Sequence, residues 1–289
     1  MSIHLLALRA GMDPTPDQAP STKHRMPSSP PPPVAAWFQS GFHAFLGAYL
    51  RRHFHSIAIA CDAWQPESLA ADEPLIVYGN HPSWWDPLIA HYVNLKRFSP
   101  RQFHAPIDAA ALEKYKVFAK LGFYGVNLAS HSGAAAFLKQ SMSILEHPNT
   151  ALWMTPEGRF CDCRDYSAPL MPGLAHLCTK LTRGSIVPMA LEYTFWEERL
   201  PECLIQFGAP LNVAQRSGDD KQTWTEALTR GLRSTQRDLA ALSIARDAAK
   251  FTPLLRGRGG AGGLYDSMRR LKSLATGRPF RPEHGETWR

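Results

Sequence analysis

The stretch Leu75-Ile76-Val77-Tyr78-Gly79-Asn80-His81-Pro82-Ser83-Trp84-Trp85-Asp86 decides how the rest of the chain is read. Leu75 to Tyr78 is a short continuous apolar run, the pattern of a strand buried on both faces. It delivers a histidine to the end of that strand, with four residues between the histidine and a carboxylate. Imidazole exchanges a proton near neutral pH, and an aspartate behind it holds the tautomer and stabilises the imidazolium. His81 and Asp86 are therefore the candidate catalytic pair. Ser83 also reads as the N-cap of a helix over 83–94, with Asp86 in its first turn, where the helix dipole favours a carboxylate. Trp84 and Trp85 either wall a pocket or pack in the core.

A second turn, Thr155-Pro156-Glu157-Gly158-Arg159, follows another apolar run, Ala151 to Met154. Proline and glycine confine the backbone there, so the flanking side chains are held in fixed directions. Glu157, Gly158 and Arg159 form the candidate substrate-binding turn. Glu157 either binds an acceptor hydroxyl or braces the loop. Arg159 is a candidate phosphate ligand, since guanidinium matches phosphate oxygens in a fork. The plain alternative is a tight turn closed by a surface ion pair.

Strands are expected at 75–78, 124–128, 151–154, 186–192 and 204–207. Helices are expected at 83–94, 108–121, 133–145 and 173–181. This alternation predicts an α/β fold, a mixed sheet covered by helices. Residues 1–33 end in a proline run and read as disordered. Residues 34–55 read as an amphipathic membrane-associating helix, with Trp37, Phe38, Phe42, Phe45, Leu46 and Tyr49 before the cationic run Arg51, Arg52, His53 and His55. Its plain alternative is a helix packed on the catalytic domain. That domain is expected at 56–215, followed by a helical, basic extension over 216–289. The extension opens with an amphipathic helix from Gln222 to about Lys250. A glycine-rich bend over 255–263 follows, then a tail with Arg269, Arg270, Lys272, Arg278, Arg281 and Arg289. The bend lacks the strand context and Gly-Lys-Ser/Thr ending of a nucleotide loop.

The chain has 289 residues, 44% of them hydrophobic, and a formal net charge of +7. That balance suits anionic partners: phosphate, acidic lipid or an acidic carrier. Zinc-finger spacing, RNA-binding aromatic signatures and long basic helices are absent, so no nucleic-acid partner is expected. The five cysteines are scattered, and Cys161 and Cys163 have the wrong interval for a zinc knuckle. No metal site is expected. No run of eighteen apolar residues occurs, so a conventional spanning helix is not expected either.

With these blocks in place, the chain resembles the glycerolipid acyltransferases, the family of bacterial lysophosphatidic acid acyltransferase. The family's Asn-His-x4-Asp block corresponds to Asn80, His81 and Asp86, its Pro-Glu-Gly block to Pro156, Glu157 and Gly158, and its Val-Pro block to Val187 and Pro188. The order and intervals agree over roughly 34–211. The resemblance implies direct transfer of a fatty acyl group from acyl-coenzyme A or acyl-acyl-carrier protein to a lipid hydroxyl. His81 would act as base, assisted by Asp86, with no cofactor and no metal. It implies a membrane lipid acceptor, lysophosphatidate or another lysolipid, and a peripheral or monotopic location at the cytoplasmic side of a membrane with an anionic surface. A noncatalytic lipid-binding or scaffolding protein on the same fold is the alternative. Phe123, Tyr124, Val187 and Pro188 are candidate liners of the acceptor or acyl pocket. The chain departs from the family twice. Leu128 stands where an arginine is expected, and Arg159 directly follows Gly158 where threonine usually intervenes.

Overall fold

The computed structural model describes residues 34–62, 69, 72–127, 130–259 and 263–277. The segment 1–33, Leu128 and the arginines Arg278, Arg281 and Arg289 lie outside the described residues. Among the described residues, nine strands form one mixed sheet: β1 Ser56–Ala60, β2 Leu75–Gly79, β3 Gln102–Asp108, β4 Phe123–Val126, β5 Thr150–Met154, β6 Ser185–Thr194, β7 Glu202–Phe207, β8 Leu211–Asn212 and β9 Phe251–Arg256. Their order is β4-β3-β5-β2-β6-β7-β1-β9, with β8 paired to β6. The strands from β4 to β6 run parallel. β7 is antiparallel to β6 and parallel to β1, and β9 closes the edge antiparallel to β1.

Every residue of β2 is buried. Leu75 and Val77 face one apolar cluster, Ile76 and Tyr78 the other, as alternation in a strand requires. The first cluster is covered by helices α1 Ala36–His53 and α2 Asp86–Arg97, through Leu46, Leu50, Ile89, Tyr92 and Val93. The second is covered by α4 His131–Glu146, α5 Gly173–Cys178 and α6 Lys221–Ala245, through Ile144, Leu145, Leu174, Leu177, Trp224, Leu228 and Leu232. Parallel strands need helical crossovers on their faces, and those crossovers exclude water from both sides of the central strand.

Several boundaries differ from the sequence reading. α2 starts at Asp86, three residues later than expected, and Trp85 precedes it without a side-chain cap. Ser83 is not the N-cap: its backbone N–H donates to Asp86 and its hydroxyl accepts from Trp85 N–H. The helix expected over 108–121 splits into α3 Ala109–Lys114 and a 3-10 turn Lys116–Leu121. That turn ends at Gly122, whose φ of 98° is left-handed and whose position would put a Cβ 2.1 Å from Phe103 O. Strands β1, β3, β8 and β9 were not expected. The glycine-rich bend begins inside β9, so Leu255 and Arg256 belong to the sheet.

The chain beyond 215 contributes to the same sheet and its cover. α6 packs on β6, β7 and α5, and β9 is a strand of the same sheet. One face of α1 packs on the fold: Leu46 and Leu50 are wholly buried, and His43 Nε2–H donates to His91 Nδ1 at 3.2 Å, because His91 Nε2–H donates to Leu121 O. The remaining helix, α7 Gly263–Thr276, leaves Met268, Leu271 and Leu274 exposed. No helix among the described residues is long and apolar enough to cross a membrane.

Two buried histidines tie the fold to pH. Burial pushes His91 and His104 down to about 4, although a backbone carbonyl opposes the shift in each. His104 Nδ1 is buried without a hydrogen-bond partner. An unfolded chain takes up these protons near the ordinary 6.5, the folded chain only near 4. Stability is therefore full above about pH 6.5 and declines as pH falls towards 4, with a slope approaching about 1.4 kcal/mol per pH unit for each histidine. Urea midpoints at pH 7 and pH 5 are expected to show this loss, and His104→Leu is expected to remove one histidine's share. An unchanged pH dependence in that variant contradicts the assignment.

Candidate active site

β2 and β5 are parallel neighbours, so the chain leaves both strands at the same edge of the sheet. This is where ligands sit in open α/β sheets. The segment after β2 carries His81 and Asp86, and the segment after β5 carries Glu157. β6, the other neighbour of β2, is twice its length, with ten residues against five. Its far half continues past Gly79 and underlies the turn. There Asn80 forms two hydrogen bonds with the backbone of Leu191, donating from Nδ2 to its carbonyl and accepting its N–H at Oδ1, at 2.9 and 2.8 Å. The amide thus extends the ladder by one position after the strand has ended.

His81 Nδ1 lies 2.6 Å from Asp86 Oδ2. The carboxylate accepts, so the proton in the neutral pair sits on Nδ1 and the lone pair on Nε2. The imidazole is 19% exposed while Asp86 is enclosed. Asp86 Oδ2 also accepts from Ser83 N–H, and Oδ1 accepts from the Tyr193 hydroxyl at 2.6 Å. Phe160, largely exposed, sets its ring 4.5 Å from the imidazole, centre to centre.

Glu157 stands behind the histidine. It is 4% exposed; Oε2 accepts from His81 N–H at 2.9 Å, and Oε1 pairs with Arg233 at 2.7 Å. His81 O in turn accepts from Cys161 N–H. The turn after β5 thus holds both backbone polar groups of the histidine. Arg233, on α6, also donates to Gln236 Oε1 and Ala168 O, and Gln236 donates to Cys163 O. The expectation that Glu157 binds an acceptor gives way to its bracing alternative, because both oxygens are engaged inside the protein. Gly158 serves the turn rather than a ligand: its φ is 66°, and a Cβ there would meet Met171 Sδ at 2.2 Å.

The other candidates separate. Arg159 is exposed beside the site, and no ion pair holds it among the described residues. Trp84 is exposed and stacks on Trp85, which packs against Tyr49, His53 and Phe54 and so joins the turn to α1. Phe123 packs with Phe103 and His91, and the Tyr124 hydroxyl pairs with Ser141, so both side chains are buried in the core. Val187 is buried opposite Val77. β6 runs through Pro188. Its carbonyl accepts from Gly208 N–H, so its missing N–H faces the joint where β6 changes partner from β8 to β7. The described cysteines are unpaired. Among the described residues no three His, Cys, Asp or Glu side chains gather as a metal site would need. Tyr193, Arg233 and Gln236 escaped the sequence reading, because each reaches the site across more than seventy residues of chain.

A histidine with Nδ1 committed to a carboxylate and Nε2 without a partner among the described residues can take a proton from a hydroxyl. Residues 62–192 match the family model for Acyltransferase, the glycerolipid acyltransferase family. This stretch of the chain belongs to that family and is an acyltransferase domain. No curated protein matches the chain. The matched stretch stops one residue short of Tyr193 and leaves Arg233 outside.

Removing one member of a buried ion pair strands the other, at a cost of about 3–5 kcal/mol. Arg233→Met is expected to lower stability by that order in urea unfolding. Adding Glu157→Gln is expected to recover much of the loss. Additive losses in the double variant contradict the pairing.

Proposed function

We propose that this acyltransferase domain moves a fatty acyl group from an acyl thioester to a lipid hydroxyl, with His81 as the base. The observation that carries the reading is the 2.6 Å bond from His81 Nδ1 to Asp86, which leaves Nε2 for the acceptor. Nε2 takes the proton of the acceptor hydroxyl as its oxygen attacks the thioester carbonyl. The C–O bond forms, the carbonyl electrons move onto oxygen, and their return expels the thiolate. The imidazolium then protonates that thiolate, and Asp86 stabilises the charge throughout. The transfer so written consumes no cofactor and needs no metal. Acyl-coenzyme A and acyl-acyl-carrier protein are both donors of this class, and a chain of net charge +7 attracts either anion. A lysolipid is the acceptor that fits an apolar rim: Phe160 lies on the imidazole and Trp84 is exposed on the segment that carries it. Arg159 is the cation on hand should that lysolipid carry phosphate, as lysophosphatidate does.

The acceptor's solubility implies a membrane. The reading is peripheral association at a cytoplasmic, anionic surface. It is supported by exposed Trp37 and Phe45 on α1, by exposed Arg51 and Arg52 at its end, and by Lys120 over the Trp37 ring. Aromatic rings and snorkelling cations suit the headgroup boundary.

Incubation with labelled acyl donors and a lysolipid panel, read by mass spectrometry, tests the chemistry. His81→Ala is expected to lower transfer by about two to four orders of magnitude with folding retained. Lipid binding without any transfer by the wild-type protein favours a noncatalytic scaffold instead. For the membrane, Trp37→Ser with Phe45→Ser is expected to reduce sedimentation with anionic vesicles several-fold, because neither side chain contributes to the buried face of α1. Unchanged sedimentation removes α1 from the contact.

A further inference from the structure

The carboxylate of Asp86 has a third partner that no part of the motif supplies. The Tyr193 hydroxyl donates to Oδ1 at 2.6 Å, on the oxygen that does not meet the histidine. Tyr193 belongs to the far half of β6, beyond the last residue paired with β2, and its backbone pairs with Cys203 of β7. Its ring lies against Phe54, with centroids 5.9 Å apart. The phenol is thus carried by a paired strand rather than by a loop, and Asp86 is the recorded partner of its hydroxyl.

We propose that Tyr193 is a positioning residue that sets how strongly the His81–Asp86 pair holds its proton. The proposal rests on the acyl-transfer reading for its kinetic meaning, but not for its physical basis. A hydrogen bond donated to Oδ1 draws negative charge away from Oδ2, so less of it is left to stabilise an imidazolium. Loss of the donor concentrates charge on the histidine side, and the pair as a unit binds a proton more tightly, whichever atom carries it. Ser83 N–H, the imidazole and Tyr193 together also hold the carboxylate in one orientation, and removal of Tyr193 frees one of its two oxygens.

The donor stays a donor. Burial pushes the phenol well above its ordinary range, with Cys203 and the Asp86 carboxylate adding to the effect. The Cys203 thiol beside them is itself held far above its ordinary value by burial, then by Asp86, so it is neutral. Other titratable and charged groups lie on the elements packed around the pair. Glu157 is paired with Arg233, and Glu192, next to Tyr193 in sequence, is held by Arg164 and Ser243. From α1, His53 packs on Trp85, and from the turn after β5 come Phe160, Arg159 and the buried Cys161.

The test is the pH dependence of kcat/KM for the full chain, compared between wild type and Tyr193→Phe. The acid limb is expected to move up by about one pH unit. At a pH below the wild-type midpoint, kcat/KM therefore falls about tenfold. The loss appears in kcat, with KM for the thioester unchanged. Site-specific 3-fluorotyrosine at position 193, whose more acidic hydroxyl donates more strongly, is expected to move the limb the other way, and it serves even if the phenylalanine variant folds poorly. NMR titration of the His81 imidazole without substrate reads the same displacement independently of turnover. If the titration midpoint and the acid limb both stay fixed in a folded variant, the proposal is overturned. If the wild-type protein transfers no acyl group but the midpoint still moves, the acyl-transfer reading fails and the positioning role stands.

Discussion

The ion pair between Glu157 and Arg233 joins three parts of the chain that have no sequence proximity. An ionised carboxylate buried to 4% exposure needs a counter-charge and full hydrogen bonding, or its desolvation is uncompensated. Arg233 supplies the charge from α6, and His81 supplies the second donor from its own backbone. The position of the His81 imidazole is thereby coupled to the packing of a helix that starts near residue 221. This explains why the chain beyond the matched stretch is part of the same structural unit. The pair does more than stabilise: it converts the burial of α6 against β6 into a fixed backbone for the histidine.

The second constraint is length. A strand of five residues between two neighbours ends early, and its longer neighbour β6 remains as a floor under the turn that follows. Asn80 bonds to that floor, and Tyr193 rises from it towards Asp86. The turn from 80 to 86 would otherwise be a surface loop with free polar groups. Instead its backbone and side chains are held from below by β6, from the side by the segment after β5, and from α1 by the packing of Trp85. Preorganisation of this kind lets a histidine act without reorganising its surroundings as charge develops.

Much of this was legible in the residues themselves. The continuous apolar run of β2, the spacing of His81 and Asp86, and the proline and glycine around Glu157 all report local backbone events, and local events leave local patterns. The α/β class followed from the alternation of runs. Where the pattern failed, a nonlocal interaction had taken over. Ser83 looks like a helix cap, yet its N–H is drawn to the Asp86 carboxylate and the helix starts three residues later. Phe123 and Tyr124 look like pocket liners, yet opposite faces of the edge strand β4 send them into two different cores. Leu255 and Arg256 look like the start of a glycine-rich loop, yet the open edge of β1 recruits them as a strand.

The sequence by itself determined the chemistry on offer: a histidine and an aspartate at one strand end, a glutamate in a rigid turn at another, and an aromatic, basic helix before them. Only the tertiary structure decided the division of labour. Parallel pairing of β2 with β5 brings the two turns to one edge, and the burial that follows turns Glu157 from a possible ligand into a brace. The partners that complete the site, Tyr193 and Arg233, are ordinary residues in ordinary elements. Nothing in their neighbours along the chain marks them, because what selects them is proximity across a sheet and its covering helix, and such proximity exists only once the core has closed.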